Sequence, residues 1–312
     1  MTTSQPLTFR ARDGSTLAGT LELPEGGDPS PAVLLLVGSG ELDRDSDHPK
    51  MALGATRELA TALARAGIAS LRYDKRGVGT SGGTYLTTTF DDARDDAAAA
   101  LTALRAHPAI DAGRVLVVGH SEGAIHATSL AAADPTLAGV GLLAGPASTG
   151  EATLRWQAEA IVPTLPAVVR GLLKVLRQSP ERSQSKLLTR IRGSDEVVMR
   201  IQGRRLNASW MRGFVDHDPA PELARVRVPV FALTGDRDLQ VDADDLEDIA
   251  ALVTDAPVET HRIPELNHLL RQTTGNGSPT GYKRQIKAGL PLDPRVLDAL
   301  IGWATAHLAV AA

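Results

Sequence analysis

The sequence predicts one α/β domain built on a mostly parallel β-sheet with helices on both faces. Two observations carry this prediction. The first is a series of continuous apolar segments of strand length, which fit strands that are buried on both faces. The second is the helical pattern between consecutive apolar segments, because alternating strands and helices are typical of a parallel sheet. With 312 residues, 43% of them apolar, the chain is long enough to bury a large core.

The chain is expected to begin with an antiparallel hairpin. Residues 7–11 and 17–23 alternate apolar and polar side chains around Asp13-Gly14, which is a hairpin signal. The buried strands that follow are expected at residues 32–37, 68–73, 115–118, 140–143, 230–233 and 258–263. The helices are expected at residues 51–66, 92–106, 122–133, 243–253 and 294–308.

Residues 146–221 interrupt this alternation, because no convincing strand pattern occurs there. Helical patterns at residues 151–161 and 165–178 and a basic polar stretch indicate a helical insertion on top of the sheet. The helix at 165–178 is amphipathic, and we interpret it as packing on its own domain rather than on a membrane surface. The predicted organisation is a core of residues 1–145 and 222–312 with a helical cap, or lid, at 146–221.

Composition excludes several classes of function. A net charge of −4 and a pI near 6.1 offer no basic face for nucleic acid, and aromatic residues make up only 3%. The absence of cysteine removes disulfides and thiolate nucleophiles. The polar N-terminus has no signal-peptide pattern, and no segment approaches the roughly 18 apolar residues of a membrane span. We therefore expect a cytoplasmic protein without a nucleic-acid partner or stable membrane insertion; its oligomeric state is not indicated.

A sharp corner is predicted where the apolar segment 115–118 ends. The sequence there is Gly119-His120-Ser121-Glu122-Gly123, a G-x-S-x-G motif between a strand and a helix. Glycines on both sides let the chain turn tightly enough for the serine hydroxyl to project clear of the backbone. The free N–H groups at the start of the following helix can receive a negative charge. The motif therefore marks Ser121 as a candidate nucleophile.

A serine hydroxyl needs a base and an acid that orients the base. In this architecture they follow in the order serine, acid, histidine. The loop after the strand at 230–233 carries Asp236 and Asp238, and the loop after the strand at 258–263 carries His268. Because these loops leave the same edge of a parallel sheet as Ser121, the groups can meet.

Other histidines are weaker candidates for the base. His261 lies inside a predicted strand, where packing accounts for it, and His217 lies at the exit of the insertion. His120 and His126 are too near Ser121 along the chain to approach its hydroxyl. We therefore favour His268 as the base.

An oxyanion hole is expected at two backbone N–H groups. One belongs to Glu122, the residue after the serine, and the other to the loop Gly38-Ser39-Gly40. The glycines let this backbone pass close to a substrate carbonyl. The N–H of Ser39 is preferred to that of Gly40, which is expected to contact the substrate.

The substrate pocket is expected beneath the insertion. Large aromatic residues are scarce in this chain, so those of the insertion are candidate lining residues, together with one methionine: Trp156, Trp210, Met211 and Phe214. Plain packing between the lid and the sheet explains the same residues equally well.

Three further patterns are discounted. The sequence Gly77-Val-Gly-Thr-Ser-Gly82 spells a dinucleotide fingerprint, but no helix is expected to open within it. The aspartates at 43, 45 and 47 have calcium-loop spacing without the required later glycine and glutamate. The acids at 242–248 are interpreted as the solvated start of a helix. No metal or cofactor is expected.

Taken together, the motifs resemble the α/β-hydrolase superfamily. More narrowly, the chain resembles bacterial serine esterases near the dienelactone-hydrolase and serine-aminopeptidase branches. The matching segments are spread over most of the chain in the expected order: "GSGELDRD", "LRYDKRGVGTSGG", "GHSEG", "LTGDRDLQV" and "ELNHLL". The insertion at 146–221 is the part of the chain that the resemblance covers least. Val37 and Glu41 depart from the usual residues of the oxyanion loop, and the lack of cysteine excludes the dienelactone-hydrolase nucleophile.

The resemblance implies an α/β-hydrolase fold and a triad of Ser121, His268 and Asp238, with Asp236 as a turn residue. It implies cleavage of carboxylic esters with short to medium acyl chains, through an acyl-enzyme intermediate and with a small acyl compound as substrate. Thioesterase, lactonase, acyltransferase and aminopeptidase activities remain alternatives because they use the same triad. A hydrolase-fold protein that binds a small ligand without turning it over is the alternative from another class.

Overall fold

A computed structural model describes residues 2–26, 29–165, 167, 170, 180–275 and 279–309. Its main feature is an eight-stranded sheet with the order β1-β2-β4-β3-β5-β6-β9-β10, accompanied by a separate two-stranded hairpin, β7-β8. The strands are β1 (Thr3–Arg10), β2 (Thr16–Leu23), β3 (Ser30–Leu36), β4 (Ala69–Tyr73), β5 (Ile110–His120), β6 (Gly139–Leu143), β7 (Val198–Ile201), β8 (Arg204–Asn207), β9 (Val230–Gly235) and β10 (Val258–Ile263).

Ten α-helices accompany these strands in the described part of the chain. They are α1 (Ala55–Arg65), α2 (Phe90–Arg105), α3 (Glu122–Ala133), α4 (Gly150–Ile161), α5 (Pro180–Arg192), α6 (Ala208–Asp216), α7 (Ala220–Leu223), α8 (Asp245–Leu252), α9 (Pro279–Lys287) and α10 (Pro294–Leu308). Helix α1 begins later than predicted because Gly54, with a φ of 63°, precedes it and residues 48 and 51 form a β-bridge instead.

The sheet is antiparallel at one edge and parallel elsewhere, as predicted. Strands β1 and β2 form the expected hairpin, and β2 pairs with β4 in the antiparallel sense. From β4 to β10 every neighbouring pair is parallel. The carboxyl ends of β3, β5, β9 and β10 therefore lie along one edge, where ligands bind in sheets of this kind.

Helices cover both faces of the sheet, and each face has its own apolar core. On one face α2, α3 and α8 contribute buried side chains such as Leu101, Leu130 and Ile249. On the other face α1 and α10 contribute Leu63 and Leu300. Burial on both faces explains why the central strands are continuous apolar segments rather than alternating ones.

The chain between β6 and β9, which we call the cap segment, passes through α4 to α7. The prediction that it contains no strand is wrong, because β7 and β8 form a hairpin there. The turn at Gln202-Gly203, with φ values of 48° and 79°, is of the kind that joins two short strands. Three of the eight strand residues are arginines, at positions 200, 204 and 205, and they obscured the apolar pattern. The predicted helix at 165–178 lies almost entirely outside the described residues.

Small apolar clusters hold the cap segment together and fix it to the core. Ile191, Met199 and Ala208 form one cluster within the segment. A second cluster joins Phe214 to Phe90 of α2, and it also includes Ile125 of α3. The cap segment is therefore packed on the two helices that lie beside Ser121.

Candidate active site

Ser121 occupies the corner between β5 and α3. Its φ of 56° and ψ of −119° place a non-glycine residue in a backbone conformation that costs free energy. A Cβ atom at Gly119 would collide with the carbonyl of Gly123, and one at Gly123 would collide with the carbonyl of Leu36. The Ser121 N–H donates to the carbonyl of Leu143 at 2.9 Å. Strand, helix and glycines therefore impose the strained turn that exposes the hydroxyl.

His268 and Asp238 lie together at the same edge of the sheet. The distance from His268 Nδ1 to Asp238 Oδ2 is 2.8 Å, and both side chains are buried. The other carboxylate oxygen of Asp238 accepts the backbone N–H groups of Gln240 at 2.7 Å and Val241 at 3.0 Å. Because these bonds fix the carboxylate, Nδ1–H of His268 can donate to it while Nε2 stays available to accept a proton.

The other acid and the other histidines have different partners. Asp236 accepts the backbone N–H of Glu265 at 2.6 Å, so it ties the β9 loop to the β10 loop instead of contacting His268. His261 lies 2.6 Å from Glu259 on its own strand, and His217 lies 3.7 Å from Glu222. Among the described residues, Asp238 is the acid that hydrogen-bonds to the His268 ring.

Ser121 and His268 line one cavity without a direct hydrogen bond between their side chains in the described part of the chain. In unliganded hydrolases such bonds are often long and tighten only with substrate.

His120 has a bracing contact that the sequence did not indicate. Its Nε2–H donates to the carbonyl oxygen of His268 at 2.8 Å, and the two ring centroids lie 4.9 Å apart. Burial lowers the pKa of His120 to about 4, so the ring stays neutral at physiological pH. The residue before the serine therefore holds the histidine loop against the serine turn. The feature of the sequence that could have indicated this role is the position of His120 inside the G-x-S-x-G motif.

The loop after β3 passes next to Ser121. An ideal Cβ at Gly38 would lie 3.3 Å from the Cβ of Ser121, so the glycine allows this close approach. Neither the Ser39 N–H nor the Glu122 N–H donates a hydrogen bond to another described residue. The N–H of Gly40 instead contacts the Tyr85 hydroxyl. Two N–H groups without a partner among the described residues therefore belong to segments that adjoin Ser121, one to the loop after β3 and one to the start of α3.

The side chain of Glu122 points into a buried network rather than into open solvent. Its carboxylate accepts Lys75 Nζ at 2.8 Å and Trp210 Nε1–H at 2.7 Å, and His126 Nε2 lies 3.4 Å away. Burial alone would raise the pKa of Glu122, but Lys75 and His126 outweigh it and lower the pKa to about 2. The carboxylate is thus ionised and paired. It joins α3 to Trp210 of the cap segment.

A first cavity, which we call the cap-side chamber, lies between the serine and the cap segment. Its volume is about 430 Å³. Glu41 and Arg205 are charged residues of its wall, and its apolar surface comes from α3, α4, α6, β8 and neighbouring loops: Leu86, Ile125, Leu154, Leu206, Trp210, Met211, Phe214 and Val241. Three of the four residues expected to line the pocket lie here, and Gly40 borders it as well. Trp156 does not line it, because the wall of α4 is formed by residues 153, 154 and 157, and residue 156 lies off that helical face.

A second cavity, which we call the histidine-side chamber, borders both Ser121 and His268 and has a volume of about 300 Å³. Its walls come from the 42–55 loop, the His268 loop and α9, and they include Leu42, Met51, Leu53, Leu269, Lys283 and Ile286. The two chambers share Ser39, Gly40, Ser121 and Gln240, so they meet at the hydroxyl. The sequence did not indicate this second chamber.

The discounted motifs have structural roles. Gly77 begins a turn closed by its N–H to the Gly82 carbonyl, and no helix opens within it. Asp74 holds this turn by accepting the Thr80 N–H and a bidentate pair from Arg44. The described residues contain no cluster of three or more acids, histidines or cysteines that could hold a metal. No helix among them has the length and hydropathy to cross a bilayer.

The fold is that of the α/β hydrolases. The chain superimposes on the Pyrococcus furiosus esterase Pf2001 with a TM-score of 0.61 at 16% identity, covering 97% of this chain and 90% of that one. Est1E from Butyrivibrio proteoclasticus, solved with ferulic acid, gives a TM-score of 0.61 at 16% identity over 96% and 99% of the two chains. The family model described as serine aminopeptidase, S33 (Hydrolase_4) matches residues 51–272, and the chain belongs to this family.

A curated relative is the esterase EstD of Thermotoga maritima. It is 28% identical over 302 residues, which cover 96% of this chain and 68% of that protein. Together with the family and the fold, this likeness makes the chain an esterase-like α/β hydrolase.

Proposed function

We propose that the protein hydrolyses carboxylic esters of short to medium acyl chain length through an acyl-enzyme intermediate on Ser121. The observation that carries the proposal is the convergence of three groups at one sheet edge. They are a serine in a strained turn, a histidine bonded to a buried carboxylate, and the N–H groups of Ser39 and Glu122, which donate to no other described residue. This is the combination that acyl transfer requires.

In the proposed reaction His268 Nε2 removes the proton of the Ser121 hydroxyl as its oxygen attacks the acyl carbonyl. Asp238 keeps the imidazole oriented and stabilises its positive charge. The N–H groups of Ser39 and Glu122 receive the developing oxyanion. His268 then gives the proton to the departing alkoxide oxygen. In the second half of the cycle His268 activates a water, which releases the acid and frees the serine.

We further propose that residues 146–221 act as a lid over the acyl group. The cap-side chamber supports this role, since half of its lining residues belong to the cap segment and the greater part of its surface is apolar. Its buried carboxylate, Glu122, is already paired with Lys75 and Trp210, which favours an uncharged acyl group over a free amino terminus. The acyl group is therefore expected to be recognised by shape and burial.

The first test needs no knowledge of the natural substrate. The purified protein is incubated with a fluorophosphonate, weighed intact by mass spectrometry and digested to locate the adduct. We expect one adduct on Ser121, because only a serine with a working base and oxyanion hole reacts readily. Ser121→Ala is expected to take no adduct and to lower ester hydrolysis at least about 1,000-fold, with an unchanged circular dichroism spectrum.

Two outcomes would contradict the proposal. Hydrolysis that survives Ser121→Ala would show that another group is the nucleophile. Folded wild-type protein that takes no adduct and cleaves no ester would favour a protein that binds a ligand in the hydrolase pocket without turning it over.

A further inference from the structure

The geometry points to a substrate with two bulky arms: we propose that the acyl arm lies in the cap-side chamber and that an apolar alcohol arm lies in the histidine-side chamber. This inference rests on the proposed ester hydrolysis and adds to it the class of alcohol. The position of His268 relative to the two chambers and the character of their walls support it.

The proton transfer fixes which arm lies where. When the ester bond breaks, the alkoxide oxygen takes its proton from His268 Nε2, so the leaving alcohol must lie within hydrogen-bond reach of that atom. His268 borders the histidine-side chamber and is not among the residues of the cap-side chamber. The alcohol therefore leaves toward the histidine-side chamber.

The oxyanion hole gives the complementary constraint. The acyl carbonyl must lie between the N–H groups of Ser39 and Glu122, and of the two chambers it is the cap-side one that Glu122 borders. A carbonyl placed there directs the rest of the acyl group beneath α6, toward Trp210 and Met211. The two constraints agree, because the acyl and alcohol arms of an ester extend from opposite sides of its carbonyl carbon.

The walls of the histidine-side chamber indicate an apolar alcohol of substantial size. Its volume of about 300 Å³ is at the lower end of the range for small-molecule pockets. Leu42, Met51 and Ile286 supply apolar surface from three separate segments. Arg271 is held in the wall by its hydrogen bonds to the carbonyls of Leu53 and Leu290, so it does not extend into the chamber as a free cation. A methyl or ethyl alcohol would leave this chamber largely unused.

Two isomeric esters separate the arms experimentally. Octyl acetate places an eight-carbon chain on the alcohol, and methyl nonanoate places a chain of similar length on the acyl group. Because the two have the same formula, differences in kcat/KM report the position of the chain rather than total hydrophobicity. Hydrolysis is followed by titrating the released acid.

Each chamber offers a methionine for a matched substitution. Met51→Trp fills part of the histidine-side chamber, and Met211→Trp fills part of the cap-side chamber. We expect Met51→Trp to lower the ratio of kcat/KM for octyl acetate to that for methyl nonanoate roughly tenfold, and Met211→Trp to raise it by a similar factor. If either tryptophan variant fails to fold, the smaller change to phenylalanine at the same position replaces it.

Two results would overturn the inference while leaving ester hydrolysis intact. Opposite shifts in the ratio would place the acyl arm on the histidine side. Ratios that stay at the wild-type value in both folded variants would show that the chambers do not receive the two arms. Wild-type protein that cleaves neither ester would instead count against the proposed function itself.

Discussion

Single residues of the site are held mainly by backbone groups of the loops around them. Asp238 is fixed by two N–H groups of its own loop, and His268 is fixed through its carbonyl by the neutral His120. Main-chain partners have few alternative positions, so the imidazole needs little reorganisation during the reaction. The geometry is thus built into the folded backbone before any substrate arrives.

Replacing the carboxylate tests this arrangement at the residue scale. Asp238→Asn is expected to lower kcat about 1,000- to 10,000-fold, because an amide can hold the imidazole in the wrong tautomer and cannot stabilise its positive charge. Asp236→Asn is the matched control two residues away, since an asparagine can still accept the Glu265 N–H. Its kcat is expected to stay within about threefold of wild type. The measurement is kcat on a short-chain ester, and similar losses in both variants would contradict the assigned role of Asp238.

At the scale of single residues, the sequence predicted those site residues whose position follows from a short motif or from the end of a strand. Ser121 sits in a five-residue pattern, and His268 follows the last strand of the sheet. Asp236 and Asp238 could not be separated by spacing alone, because their difference lies in which loop N–H groups they meet. Trp156 was expected in the pocket because of its size, but size does not reveal the helical face on which a residue lies.

Elements of the site are joined by a few side chains that bridge the cap segment and the core. Asn207 is the N-cap residue of α6, and its side-chain oxygen Oδ1 accepts the backbone N–H of Trp210 at 3.0 Å. Its amide group donates to the carbonyls of Tyr85 at 2.8 Å and Thr88 at 2.7 Å. One buried side chain therefore caps the helix and attaches it to the loop before α2.

Two substitutions separate these contributions of Asn207. Serine keeps an oxygen for the helix cap but loses both amide donors, so Asn207→Ser is expected to lower the unfolding free energy by about 1–3 kcal/mol. Asn207→Ala also loses the cap and is expected to cost about 1 kcal/mol more. Urea denaturation measures both values. Equal stabilities of wild type and Asn207→Ser would show that the bridge to the loop contributes nothing.

Two features at the scale of elements were not predicted from the sequence. One is the β7-β8 hairpin, and the other is the histidine-side chamber. The β7-β8 hairpin carries exposed arginines at positions 200, 204 and 205, so its few apolar positions did not stand out. The histidine-side chamber combines residues near positions 42–55, 120, 268–271 and 282–286. Each of its apolar walls looks like ordinary core in the sequence. Only the fold shows that they face a common space.

At the scale of the whole molecule, a buried acid beside the cap segment carries a charge that opposes folding. Asp245, at the start of α8, is only 4% exposed and accepts the Ser148 hydroxyl at 3.0 Å. Burial is the main reason that its pKa rises to about 6, and the neighbouring acids Asp242 and Asp248 add to the shift. The interpretation of the acids at 242–248 as a solvated helix start is therefore wrong for Asp245, which faces the beginning of the cap segment.

The sign of this shift defines a pH dependence of stability. The folded state binds the proton of Asp245 more tightly than the unfolded state, whose pKa lies near 3.8. The stability that comes from this proton is therefore present below about pH 4 and is lost as pH rises through about 6. Asp245→Asn is expected to stabilise the protein by about 1–3 kcal/mol at pH 7.5 and by little at pH 4.

Glu247→Gln is the matched control, because Glu247 is exposed on the same helix and is not one of the acids named as raising the pKa of Asp245. It is expected to give no stabilisation at either pH. Urea unfolding of the three proteins at pH 4 and pH 7.5 measures the difference. A stabilisation by Asp245→Asn that is equal at both pH values would show that the proton of Asp245 is not its source.

The cap segment leaves the sheet after β6 and returns at β9, and these two strands pair directly with each other. The cap segment therefore begins and ends at two strands that are neighbours in the sheet. Lengthening, shortening or exchanging it requires no change in the register of any strand. Under the proposed function, evolution can consequently alter which acyl groups are accepted while the residues proposed to break the bond are inherited unchanged.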